Sequence, residues 1–513
     1  MDALTSETII HCLKKSVSRY PDLEAVVYKD HRITYKQLWA MVCSVVNYLH
    51  SQGIERGDRV GLLIENSPEY IAVYYGVLAA GGVTVGLNTT AKASDLINWL
   101  EHCEARFLFS SINHPEFDVI AKKHIDQLKV IGIGNYHNDH KSVCNLWSEI
   151  DDKSLLEVDM SMVVDIMSPA SIIYTSGTTG SPKGVTLSHR NLISNTRSII
   201  QYLGLSNKDS IVSVLPFYYS YGNSVMHTHL AVGAKLVLEN SFMYPHKVLE
   251  KIVEENVTGF SGVPSLYSLL LSRTKLKDYD LSKVRYMTQA GGAMAPASII
   301  RLLEEIPTVN FYVMYGQTEG TARLSYLPPE NIFEKMGSIG KAIPGVTLEI
   351  HDENNNICPP GVTGEICANG DNIMIGYWNA PEETRKVIVD SWLKTGDLAH
   401  YDEDGFLYID GRSSDMIKTG ANRISPKEIE EVISCLVEVE EVAVVGVPDE
   451  LLGQVIKAVI VPTSKSALEK KTVQAHCRKN LSLYKIPKII EFTNELPKTS
   501  SGKVKRYLLQ NNN

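Results

Sequence analysis

The chain is short of the features that mark several large classes of protein. Its eight cysteines, at 12, 43, 103, 144, 358, 367, 435 and 477, include no Cys-x-x-Cys pair. Neither a zinc framework nor a disulfide scaffold is expected, and a reducing cytoplasm fits best. Positive charge is also scarce: 50 Lys and Arg stand against 59 Asp and Glu, a net charge of −9 with no basic run and no aromatic–basic interleaving. A nucleic-acid partner is therefore not expected, and an anionic ligand needs a local site built from individual Lys and Arg residues. The start, Met1-Asp2-Ala3-Leu4-Thr5-Ser6-Glu7, lacks the basic and apolar segments of a secretion signal. One uncharged stretch, 71–91, is long enough to cross a bilayer. Gly76, Gly81, Gly82, Gly86 and Asn88 interrupt it, so it reads instead as a buried helix over 68–80, a glycine turn and a short strand at 83–85. No membrane span is expected.

What is present describes a globular protein: 513 residues, 44% hydrophobic and 21% charged, enough for two or more domains. Helix and strand signals alternate. Thr34-Tyr35-Lys36-Gln37 is a capping box, and Leu38, Val42, Val45, Val46 and Leu49 continue it at helical spacing up to Gly53. Apolar runs at 59–64, 107–109, 130–133, 210–215 and 235–238 read as strands. The fold class is α/β, with mostly parallel sheets and flanking helices in a large N-terminal domain, 1–410. From about 337 to 410, frequent Gly and Pro between short alternating strands suggest a small antiparallel β subdomain. The polar run 411–415 looks like a linker. Beyond it, Ser425-Pro426-Lys427-Glu428 reads as a helix start with Ser as N-cap, Pro first and Glu third. Strands at 441–447, 456–461 and 488–492 and a helix at 472–481 complete a small α+β domain over 416–513.

The most distinctive stretch is Tyr174-Thr175-Ser176-Gly177-Thr178-Thr179-Gly180-Ser181-Pro182-Lys183-Gly184, which follows the apolar run 171–174. Glycines let backbone N–H groups converge on an anion, hydroxyls add donors and Lys183 adds positive charge. That suits a polyphosphate, although a flexible surface turn has the same composition. It is not a Walker A loop, because Lys183 follows Pro182 and precedes Gly184.

Four further motifs follow in order: Tyr315-Gly316-Gln317-Thr318-Glu319, Lys394-Thr395-Gly396-Asp397-Leu398, Gly411-Arg412 with Asp415, and Pro497-Lys498-Thr499-Ser500-Ser501-Gly502-Lys503. Taken singly, Thr318-Glu319 suits a helix cap, Asp397 a turn and Lys503 a solvated tail. Together and in this order the five motifs resemble the adenylate-forming superfamily of acyl-CoA synthetases, peptide-synthetase adenylation domains and luciferases, from about 25 to 505. The resemblance implies a two-step reaction: a carboxylate attacks the α-phosphate of ATP, and a thiol then takes the acyl group. It assigns the β- and γ-phosphates to Thr175, Ser176, Gly177, Thr178, Thr179 and Lys183. It gives the α-phosphate to Thr318, Mg2+ to Glu319, and adenine to Tyr315 and Gly316 alongside Gly291-Gly292-Ala293. Asp397 takes the ribose hydroxyls with Arg412 nearby, and Lys503 bridges carboxylate and α-phosphate. It also implies a mobile C-terminal domain that pivots at Asp415.

This chain departs from the family in places. Where coenzyme A-using members often have His, the run Pro216-Phe217-Tyr218-Tyr219-Ser220-Tyr221-Gly222 has Tyr219, which cannot carry positive charge. Ala421 stands where many members have Gly, in the segment expected to line the thiol path. No Asp occurs in 216–224, where members that activate amino acids hold the substrate amine, so a neutral organic acid is favoured. Tyr219, Tyr221, Asn223 and Met314, with Met226, Gly262, Val263 and Leu324, form a mixed aromatic and polar acid pocket suited to a small or medium acid. Asn223 either reads a polar group on that acid or caps the following helix. Three functions are compatible with these residues. They are a carboxylate–coenzyme A ligase, an enzyme loading the phosphopantetheine of a carrier protein, and a non-catalytic nucleotide-binding protein. The intact set Thr318, Glu319, Asp397, Arg412 and Lys503 argues against the last.

Overall fold

The computed structural model describes residues 7–510 apart from 124, 126, 135–142, 145–164, 176–182, 414, 420–421, 450–451, 464–467 and 499–503. Two large sheets organise the chain from Glu24 to Tyr377. One has nine strands, in the order Lys341–Ala342, Ser325–Leu327, Asn310–Tyr315, Tyr286–Gln289, Gly259–Gly262, Ser210–Ser213, Lys235–Leu238, Glu24–Tyr28 and His31–Thr34. It is parallel from Asn310–Tyr315 to Glu24–Tyr28 and antiparallel at both edges. The other has eight described strands. Lys183–Ser188 lies antiparallel between Pro169–Thr175 and the short Gly376–Tyr377, and the remaining pairs are parallel. The expected α/β class with parallel-rich sheets is borne out.

Local signals account for the helices between these strands. Thr34 caps the helix Tyr35–Ser51 through Gln37 N, and the Gln37 side chain returns to the Thr34 N–H at 2.9 Å. Ser67 caps the helix Pro68–Ala79, which is buried on every side. The two helices touch through Gly76, where a Cβ would lie 2.6 Å from Val45 Cβ. Gly81 then turns the chain at φ +79° into strand Val83–Gly86. The uncharged stretch is thus core helix and strand. Among the described residues no helix is long and apolar enough to cross a membrane.

Two smaller sheets follow. Val346–His351, Gly364–Gly370, Trp392–Tyr401, Ile388–Val389 and Leu407–Arg412 form an antiparallel sheet over a core of Leu348, Ile350, Ile366 and Leu393. Leu324, read from the sequence as pocket lining, is fully buried in that core. In the last sheet Val439–Asp449 and Gly453–Pro462 pair antiparallel, and Ile489–Phe492 joins in parallel. The helix Pro426–Ser434 begins where expected, but its cap differs. The Ser425 hydroxyl donates to Asp410 O, and Glu428 pairs with Lys485 at 2.6 Å. Tertiary partners have taken both groups that a local capping box would use.

Candidate active site

In parallel sheets, ligands gather beyond the carboxyl ends of the strands, where connecting loops converge. The motif residues of the two large sheets lie there. Thr175 and Tyr315 end their strands, and Gly291, Gly292 and Ala293 follow strand Tyr286–Gln289 as an exposed turn. Gln289 Nε2 holds that turn through Gly292 O at 2.6 Å, and Gly291 has φ +90°. After Tyr315 the chain makes a tight turn over Thr318–Gly320. Gly316 is required there, because a Cβ would meet Ala322 O at 2.1 Å.

Asp397 and Arg412 are opposite partners on adjacent antiparallel strands. Asp397 is 8% exposed, and its two oxygens take different donors. Arg412 Nε donates to Oδ1 at 2.8 Å and the Tyr315 hydroxyl donates to Oδ2 at 2.7 Å. Burial, then the adjacent Asp397 carboxylate, pushes the Tyr315 phenol well above its usual range, so it remains a donor. Partial desolvation of the half-exposed Arg412 side chain works against its charge, but Asp397 outweighs it and the guanidinium pKa is raised.

Glu319 lies alongside. Its backbone O accepts from Met374 N at 2.9 Å, and its Oε1 accepts from the Tyr377 hydroxyl at 2.9 Å. Burial and then Glu319 push that phenol well above its usual range, so it remains a donor. Lys183 Nζ sits 5.3 Å from the Tyr377 ring centroid and pairs with Glu383 at 3.3 Å. The Thr318 hydroxyl meets Ser220 Oγ at 3.3 Å, joining this cluster to the segment expected to bind the acid.

That segment is ordered by the core beneath it. Tyr219 precedes the helix Ser220–Val232, and its ring packs 4.6 Å from that of Tyr218. Asn223 lies inside the helix, 4% exposed, and its Oδ1 accepts from Tyr74 OH at 3.4 Å, so it is not a cap. The Tyr221 hydroxyl is spent on Thr288, at 2.8 Å from Oγ1, which fixes the ring. Arg323 lies over that ring, 4.0 Å from its centroid, and its Nε reaches Met314 Sδ at 3.2 Å.

The structure therefore brings Tyr315, Gly316, Thr318, Glu319, Asp397, Arg412 and Lys183 into one cluster, and Tyr221 with Met314 into a second. The Asp415 N–H donates to Arg412 O at 3.0 Å, and its carboxylate lies 3.5 Å from Arg506 Nε. Ser176, Gly177, Thr178, Thr179, Ala421 and Lys503 lie outside the described residues. Motif reading missed Tyr377, Glu383, Ser220 and Arg323. It also missed Asn372, fully buried, whose Nδ2 holds Gly320 O at 2.9 Å and Arg323 O at 3.0 Å. None of these carries a local pattern. Only the position of Arg323 four residues after Glu319 could have drawn notice.

Comparison with known proteins agrees with this geometry. A family model described as AMP-binding enzyme matches residues 13–378, and one described as AMP-binding enzyme C-terminal domain matches 428–503. The long-chain-fatty-acid–CoA ligase of Bacillus subtilis (strain 168) is 30% identical over 534 residues, covering 98% of this chain and 94% of the relative. Feruloyl-CoA synthase of an Amycolatopsis species is 32% identical over 486 residues, covering 94% of each. Among solved structures, o-succinylbenzoate coenzyme A synthetase of Bacillus subtilis in complex with ATP and magnesium ion is similar. Its TM-score is 0.84 at 26% identity, covering 99% of this chain and all of that one. The same synthetase with its acyl-adenylate intermediate gives a TM-score of 0.85. The motifs, the fold and the family models agree: the chain belongs to the AMP-binding enzyme family.

Proposed function

We propose a division of labour among these residues for an AMP-forming acid–thiol ligase. The enzyme activates a carboxylic acid with ATP as an acyl-adenylate, releases pyrophosphate and passes the acyl group to the thiol of coenzyme A. The observation that carries the assignment of roles is that Tyr315 and Arg412 hold both oxygens of Asp397 while Tyr377 holds one oxygen of Glu319, four residues after Tyr315.

A carboxylate offers about four acceptor positions, so Asp397 can hold Arg412 and Tyr315 and still accept from two ribose hydroxyls. The Tyr315 ring offers adenine a face, beside the exposed turn Gly291-Gly292-Ala293. Glu319 fits a magnesium ion: one oxygen takes a hydroxyl, and among the described residues no cation pairs with the carboxylate. Among the described residues no cluster of three or more His, Cys, Asp or Glu could cage a metal, which suits an ion shared between one carboxylate and phosphates. Magnesium, when bound, neutralises charge on the phosphate oxygens. Thr318 donates to the α-phosphate. Thr175, Ser176, Gly177, Thr178, Thr179 and Lys183 hold the β- and γ-phosphates, with Lys183 leaving Glu383 to do so. Positive charge and donors around the phosphates lower the cost of bringing two anions together.

Lys503 bridges the attacking carboxylate and the α-phosphate in the first step. The domain 416–513 then turns about Asp415, withdrawing Lys503 and presenting the segment after Asp415 to the thiol. Ser425 on Asp410 O and Lys427 on Ile409 O, at 2.6 Å, tie the two sides of the hinge in the present orientation. Tyr219, Tyr221, Asn223 and Met314 bind the acid, which lacks an α-amine and is small or medium in size. Seven free cysteines among the described residues support a cytoplasmic setting.

The test supplies the protein with ATP, Mg2+ and a panel of carboxylic acids, with either coenzyme A or a phosphopantetheinylated carrier protein as acceptor. Acyl-coenzyme A detected by mass, with little acylated carrier, supports the reading. Acylation of the carrier alone would replace coenzyme A as acceptor.

A further inference from the structure

Arg323 is 3% exposed, yet among the described residues no carboxylate pairs with it. Its placement is built. Thr321 and Ala322 are held at φ +52° and +84°, a region L-residues enter at a cost. Thr321 Oγ1 donates to Asn372 O, and Arg323 O accepts from both Asn372 Nδ2 and Asn195 Nδ2 at 3.0 Å. Three side-chain hydrogen bonds thus hold an unfavourable turn that sends one guanidinium between Tyr221 and Met314.

What meets the guanidinium there is weak. Nη1 has Ala322 O at 3.3 Å, Nε has the Met314 thioether at 3.2 Å, and the Tyr221 face lies at 4.0 Å. Five N–H donors and a full charge are answered by one carbonyl, one poor acceptor, a ring quadrupole and the neighbouring Tyr202 hydroxyl, none of which carries a negative charge. A buried charge is retained where a counter-charge joins it. Tyr221 and Met314 are residues proposed above to bind the acid, and Ser220, next to Tyr221, meets the Thr318 hydroxyl at 3.3 Å. An acid held by Tyr221 and Met314 would be adjacent to the guanidinium that lacks a counter-charge.

We propose that Arg323 pairs with a second carboxylate on the acid, so that the preferred substrate is a dicarboxylic acid, aliphatic or aryl. This rests on the ligase reading above. One carboxylate goes to the adenylation site near Thr318 and Lys503, and the other meets the planar fork of Arg323, which matches carboxylate geometry in a way an ammonium does not. Tyr221 beneath the guanidinium holds the fork flat and excludes water.

The full-length protein is assayed for acid-dependent pyrophosphate release with matched acids. These are linear dicarboxylic acids of increasing length and benzene dicarboxylic acids, each beside its half-amide and its monocarboxylic counterpart. Wild type, Arg323→Lys and Arg323→Met are compared. The expected result is a diacid preferred over its half-amide by about a hundredfold in kcat/KM, the size of a desolvated charge pair. Arg323→Met should bring that ratio close to one, and Arg323→Lys should restore it in part. The wild-type ratio stands even where a variant folds poorly, and the ratio within a variant does not depend on how much of it folds. Equal use of monoacid and diacid by wild type, or a uniform loss on every acid in Arg323→Met, overturns the proposal and leaves the ligase reading intact. Absence of release with every acid overturns both.

Discussion

Replacing Tyr377 by Phe isolates one hydrogen bond to Glu319. The ring stays, because its backbone is held independently: Tyr377 N donates to Thr384 Oγ1 at 2.9 Å, and the residue pairs with Val185 across the sheet. Lys183 keeps the same aromatic face, 5.3 Å from its Nζ. Only the hydroxyl that donates to Glu319 Oε1 at 2.9 Å is removed. A hydrogen bond to a charged group contributes about 1.5–3 kcal/mol, or roughly 10- to 150-fold in an equilibrium. Groups that orient a metal-binding carboxylate are worth about 10- to 100-fold in metal affinity. The two estimates agree. Pyrophosphate release titrated against Mg2+ at saturating ATP and acid should show the half-saturating Mg2+ concentration raised by about that factor, with the melting temperature nearly unchanged. An unchanged Mg2+ requirement would refute the role given to Glu319 and to the hydroxyl that aims it.

Other expectations follow from the same geometry. Asp397→Asn leaves Arg412 without its counter-charge; because the Arg412 side chain is 49% exposed, water softens the loss. KM for ATP should still rise about tenfold or more, with KM for the acid unmoved, in steady-state kinetics. Lys503→Ala should slow adenylate formation by orders of magnitude while sparing thiol transfer from added acyl-adenylate. Equal loss in both half-reactions would count against the hinge account. His227, between the Tyr74 and Tyr75 hydroxyls, is drawn by burial down to about 3. The unfolded chain protonates it below about 6.5, so stability is present above that pH and is lost as pH falls toward 3, at up to about 1.4 kcal/mol per pH unit. Urea midpoints measured from pH 6.5 to 5 should fall less steeply in His227→Gln.

Much of the fold was legible because its signals are local. Thr34 and Gln37 cap their helix through neighbours three residues apart, and the glycines at 76 and 81 argued correctly against a membrane helix. The Ser425 cap was misread because Asp410 O, fifteen residues away, competes for its hydroxyl. The site divides in the same manner. Tyr315, Glu319, Asp397 and Arg412 sit in contiguous motifs. Tyr377 reaches Glu319 across 58 residues and Glu383 reaches Lys183 across 200, and no periodicity encodes such pairs. Arg323 shows the limit most clearly: an arginine in a sequence reads as a surface charge until burial and the want of a carboxylate partner are known.

The central claim is that the Tyr315–Asp397–Arg412 and Glu319–Tyr377 cluster activates a carboxylate on ATP. Acid-dependent exchange of labelled pyrophosphate into ATP, with Mg2+ and without coenzyme A, tests it most directly. The account predicts exchange that requires an acid and collapses in Lys503→Ala. Folded protein that binds ATP yet exchanges no label with any acid, diacids included, would contradict it.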